Sequence, residues 1–231
     1  MGSVSLMNVS QVRIYPAPGF PLYRFLRTRR GAEFLAEKYG FTNFGMVSED
    51  EYSADEGVFS LPGDQRIALE KFSFGIRRTI FQGWAGSVEV SEAYDSVLED
   101  VCREIGHDDE LPTPVVFTQE TTLITELGFD ASRLLSEPLA DFTENALPRR
   151  LANQYATAGT RLQALRFRVS FDPSSSNLAD HGISLSQKPF TLEPVTQAPI
   201  ESRLYFTQSP CDSETHLALV REVEDALCGR K

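Results

Sequence analysis

The sequence predicts an α+β fold, a largely antiparallel β-sheet with about three helices packed mainly on one face. Three observations predict it. Phe72, Phe74, Ile76 and Ile80 recur at spacing two, the pattern of a strand with one buried face. Leu165, Phe167, Val169 and Phe171 alternate in the same way with Arg166, Arg168 and Ser170. Tyr94, Val97, Leu98, Val101 and Ile105 instead follow a helical repeat, and Gly106 stands where a left-handed residue closes a helix.

With 231 residues, 41% of them hydrophobic, the chain can bury a substantial core and is read as a single domain over 1–231. Residues up to about 30 read as a proline-rich N-terminal arm. Val12-Arg-Ile-Tyr15 is a short strand candidate within it, and Pro16-Ala-Pro-Gly-Phe-Pro21 suits neither a helix nor a central strand. Arg24, Arg27, Arg29 and Arg30 follow with Tyr23 and Phe25 between them. In a chain this acidic, pairing with its own carboxylates is their ordinary fate. Gly31 to Tyr39 predicts a short helix ended by Gly40, and Phe41, Phe44 and Met46 are expected to pin the next segment to the body of the protein.

Residues 48–57 hold five carboxylates and read as a solvated acidic loop. The spacing of acids and glycine does not fit a calcium loop. Leu61-Pro-Gly-Asp64 is a turn signal leading into a long strand over 66–81. Ile67 and Leu69 have the opposite parity to Phe72 and Phe74, so a bulge is expected near Glu70-Lys71. Gln82-Gly-Trp-Ala-Gly86 permits a sharp reversal, and Ser91 is the expected cap of a helix over 91–105.

Further along, 115–127 is rich in β-branched residues and reads as a strand. A helix interrupted at Pro138 is expected over 131–157, then a strand over 161–172. Pro189, Pro194 and Pro199 each remove a backbone donor, which places that stretch on a sheet edge or outside the sheet. A strand over 203–208 runs into a helix over 213–228, capped by Asp212 or Ser213 and closed by Gly229. Its apolar stripe is expected to be Leu219, Val220, Val223, Ala226 and Leu227. The strand-then-helix order of residues 66–106 thus returns at the C-terminus, without a residue-by-residue repeat.

Chemical signals are sparse. None of the three histidines has a second histidine at i+3 or i+4, no cysteine pair has zinc spacing, and no phosphate-loop, nucleophile-elbow or dinucleotide motif occurs. Neither a cofactor nor a metal is expected, and no catalytic residue is assigned. Cys211 and His216 are the nearest nucleophile–base pairing in sequence, but their spacing alone does not join them. A net charge of −11 disfavours nucleic acid as a partner, and no apolar run is long enough for a membrane span. The N-terminal residues lack a secretory pattern, so the cytoplasm is the expected compartment. The candidate binding residues are Trp84, at its glycine-flanked turn, and Arg77, Arg166 and Arg168, read as a basic stripe on the open sheet face. The expected function is a non-catalytic protein–protein interaction or assembly role, through a partner or self-association, using aromatic turns and sheet edges. The alternative is a small hydrolase or transferase using dispersed carboxylates and a histidine.

Overall fold

The computed structural model describes residues 4–107, 111, 113–134, 165–169, 188–195, 197–199 and 202–229. Among these, nine strands form one sheet: β1 (Val4–Ile14), β2 (Asn43–Ser48), β3 (Glu51–Ser60), β4 (Arg66–Gly75), β5 (Arg78–Gly83), β6 (Val116–Glu126), β7 (Leu165–Val169), β8 (Lys188–Pro194) and β9 (Leu204–Ser209). Their order across the sheet is β2-β3-β4-β5-β1-β6-β9-β8-β7, and every neighbouring pair is antiparallel. Four α-helices accompany them: α1 (Tyr23–Leu26), α2 (Arg29–Tyr39), α3 (Ser87–Ile105) and α4 (Ser213–Cys228). None of the described helices is long and apolar enough to cross a membrane.

Helix ends follow local chemistry. Gly40, Gly106 and Gly229 close α2, α3 and α4 at φ 68°, 65° and 68°, and the Asp212 side chain accepts from Thr215 N. The start of α3 differs from expectation: its N-cap is Gly86, and Ser91 lies one turn inside. Only a 3₁₀ turn, Ala131–Leu134, represents the expected helix over 131–157; the rest of that range lies outside the described residues.

Several extended segments are also corrected. The long strand over 66–81 is a hairpin, β4 and β5, turning at Ile76-Arg77, although the bulge between Leu69 and Lys71 is present. Residues expected in an N-terminal arm form β1, which lies mid-sheet between β5 and β6. The following loop is fastened too: Phe20 N donates to Ile76 O at 2.6 Å, and a side chain on Gly19 would meet that carbonyl at 2.3 Å. Most of the acidic stretch is β3, where Ser53 and Ala54 turn inward and Glu51 bonds Arg78 at 2.5 Å. Small residues hide this strand from a hydrophobic pattern. Proline-bearing β8 is paired on both sides, with Pro189 and Pro194 confined to its ends.

Register exposes a two-fold relation that the sequence conceals. Val9 pairs with Thr121 at the centre of the β1–β6 ladder, Gly83 pairs with Val9, and Ser209 pairs with Thr121. The helices that follow Gly83 and Ser209, α3 and α4, meet over this point through reciprocal bonds. Ser87 N donates to Ser213 Oγ at 3.0 Å, and Ser213 N donates to Ser87 Oγ at 2.7 Å.

The apolar interior splits along that axis. One cluster joins Phe72, Phe74, Phe81, Tyr94 and Val97 with α1 and α2, and a smaller one joins Leu127, Phe129, Leu192, Tyr205 and Val220, with Val223 packed against it. Between them runs a polar seam. Gln11 Nε2 donates to Ser91 Oγ and to Ser87 O, while Thr121 Oγ1 donates to Cys211 O. In α4 the buried positions are His216, Val220 and Glu224, so its inner stripe is partly polar where Leu219 and Ala226 were expected.

A second polar fastening joins α2 to α3. Asp100 receives the Tyr39 hydroxyl and the Lys38 and Arg103 cations, the latter two at 2.6 Å. Burial alone would raise the Asp100 carboxyl, but bonds from Lys38 and Tyr39 outweigh it and hold the group below its ordinary range. Asp100→Ala is expected to cost about 2 kcal/mol in urea unfolding, since it removes charge-assisted bonds. Combining it with Tyr39→Phe should add less than the sum of the two, because both report one cluster.

Candidate functional site

The site begins where the chain leaves the core after α2. Thr28 caps that helix, accepting from Gly31 N at 3.2 Å, and Phe41 beyond its end is 1% exposed. The next two expected anchors do not follow Phe41 inward. All six residues of β2 are exposed, with Met46 at 65%, Val47 at 52% and Phe44 at 37%. Phe44 and Met46 sit opposite Ala54 and Tyr52 of β3, and a bulge at Val47 separates them from Ser48.

Along β2 lies a groove of about 290 Å³, bounded by Leu26, Phe44, Met46, Tyr52 and Phe74, with Arg27 and Arg29 from the α1–α2 corner. Tyr52 stacks on Phe74 at 6.3 Å, and the Arg27 guanidinium lies 5.5 Å over the Tyr23 ring. Arg29 bonds Glu33 at 2.7 Å while remaining 92% exposed. No described residue pairs with the outer side of β2.

Sheet edges with unpaired backbone groups are normally guarded by charge, proline or brevity. At the opposite edge β7 is five residues long and carries Arg166 and Arg168. By contrast, Asn43-Phe-Gly-Met-Val-Ser48 has neither charge nor proline.

The sequence-derived candidates are scattered. Arg77 lies in the β4–β5 turn, where its Nε donates to Tyr15 O at 3.2 Å. Arg166 and Arg168 lie in β7, where they stand opposite Thr191 and Pro189 of β8. Four strands separate β5 from β7, roughly 24 Å between strand axes, so Arg77 shares no stripe with them. Trp84 is 40% exposed beyond β5, and its backbone N–H donates to Ala68 O at 2.9 Å. Sequence reasoning missed the β2 groove. The run without carboxylates between Asn43 and Ser48, in a chain so rich in them, marks the segment but not which way it faces.

Cys211 and His216 do come together, through Ser209. Ser209 Oγ lies 2.9 Å from Cys211 Sγ and 2.5 Å from His216 Nδ1, while His216 Nε2 lies 2.8 Å from Thr207 Oγ1. Thr207 Oγ1 donates to Leu123 O at 3.4 Å, so it accepts from Nε2–H, leaving Nδ1 to accept from Ser209 and Ser209 to accept from the thiol. Burial lowers the imidazole to about 4 and pushes the Cys211 thiol up. That ordering is opposite to the thiolate–imidazolium pair of cysteine nucleophiles. Among the described residues no group of three or more His, Cys, Asp or Glu side chains is placed to hold a metal ion.

No family model matches the sequence, and no curated protein matches it either.

Proposed function

We propose that the chain is a non-catalytic interaction protein that receives an added strand along β2. The observation that carries this reading is the edge itself: six exposed residues, three of them large and apolar, with neither charge nor proline along the strand. The groove beside that edge gives side chains of an incoming strand somewhere to settle. Exposed Trp84 provides a second contact point. Three free cysteines suit a reducing compartment such as the cytoplasm.

Sedimentation over a concentration series, with amide exchange of residues 43–48, tests the reading for Met46→Lys combined with Val47→Lys. The assembly formed by the unmodified chain, with itself or a bound partner, should protect β2 amides and be lost in the double variant at an unchanged thermal midpoint. Persistence of that assembly with β2 still exchanging freely would refute strand addition. Loss in Trp84→Ala alone would move the contact to the turn.

A further inference from the structure

Resting on strand addition at β2, we propose that the received segment belongs to a different protein and carries apolar side chains flanked by carboxylates. The apolar part follows from the groove wall, where exposed Phe44 and Met46 and half-buried Tyr52 present carbon to an incoming side chain. Successive residues of a strand face opposite sides, so every second side chain of the segment reaches this wall.

The acidic part follows from charge. On a chain of net charge −11, the groove is flanked by two guanidinium groups, Arg27 and Arg29, with Arg24 exposed one turn before them. Glu33 engages Arg29 at Nε, and the Arg29 side chain remains 92% exposed. Arg27 lies over Tyr23 and keeps its cation turned to solvent. An incoming carboxylate therefore meets exposed cations without either arginine leaving its present position.

A second copy fits less well. Its β2 contains no carboxylate. Of the acids at the β2–β3 turn, Glu51 is bonded to Arg78 and Asp50 already lies in electrostatic range of Arg27 in its own chain, so a second copy brings Glu49 alone at one end of its strand. Two copies would also bring together two chains of like net charge.

The test is a fluorescence titration of the full chain with a labelled peptide of about eight residues, long enough for one strand. Valine and threonine alternate in it, flanked by glutamates, by glutamines or by lysines. Glutamate flanks are expected to bind about three- to tenfold tighter than glutamine flanks, and lysine flanks weakest. Arg27→Ala with Arg29→Ala should erase the preference and leave the glutamine peptide unchanged, as should high salt. Met46→Lys, at an exposed position, should abolish binding of all three peptides.

Equal affinity for glutamate and glutamine flanks, lost in Met46→Lys, overturns the acidic partner and leaves strand addition standing. No peptide binding, with a dimer that Met46→Lys dissociates, names the second copy as occupant and again overturns only this proposal. No peptide binding by a monomer whose β2 amides exchange freely overturns both.

Discussion

Phe72→Ala is expected to lower the free energy of unfolding by about 3–5 kcal/mol, the largest effect of any single substitution considered for this chain. The Phe72 ring is fully buried and lies 5.3 Å from Phe74, 5.5 Å from Phe81 and 6.0 Å from Tyr94. Truncation removes apolar burial and three ring contacts together, and the strands on either side, held in register by Ala54 and Phe81, cannot close over the space. Phe72→Leu should recover much of the loss. Leu192 stands opposite Thr207 as Phe72 stands opposite Phe81, but among the described residues its cluster is smaller and has fewer rings, so Leu192→Ala should cost less. Urea unfolding of the three variants measures the ranking. Equal costs at positions 72 and 192 would show that the aromatic cluster adds nothing beyond buried area.

Acid should weaken the fold through His216 by about 3 kcal/mol, since its imidazole titrates near 4 when folded against an ordinary value of 6.5. The lowered value means that the folded state holds the neutral ring. Its full contribution is therefore present above about pH 6.5 and is lost progressively as pH falls toward about 4, because the unfolded chain takes up the proton first. His216→Val tests the assignment, valine being the residue at Val90, the matching position in α3. The variant should show a flatter decline over that interval. It should also be less stable at neutral pH, because Thr207 and Ser209 lose a buried partner. An unchanged pH slope would place the acid sensitivity elsewhere.

Helix ends, the start of α3 apart, were legible in the sequence because they depend on near neighbours. Gly40, Gly106, Asp212 and Gly229 act through one turn of chain, and each is where a reading of spacing puts it. Strands β6 and β9 were legible for a similar reason, their β-branched and alternating residues. What failed was anything set by a distant partner. β1 looks irregular because Gln11 and Arg13 face α3, the one bonding serines and the other lying 4.1 Å over the Tyr94 ring. Thr121, Thr207, Ser209 and His216 break the apolar pattern on the other side of the same seam. For the candidate site, hydrophobicity at Phe44 and Met46 was plain, but the sequence gives no sign of whether such residues meet their own core or stay outside it. Hence they were expected inside. The four proposed contact residues were chosen by type, and only pairing order revealed how far apart the sheet holds them.

The crossed serine bonds at the centre of the sheet carry a consequence for how its two parts depend on each other. Gly86 offers α3 no side-chain cap, so the first amide of that helix is satisfied by Ser213, a residue 126 positions later. Separating the two parts would hand that amide to water, even though every greasy contact around Phe72 stayed in place. Cohesion across the midline is thus a matter of a few directional bonds and one continuous ladder, and a solvent that competes for hydrogen bonds should loosen it before it dissolves either interior.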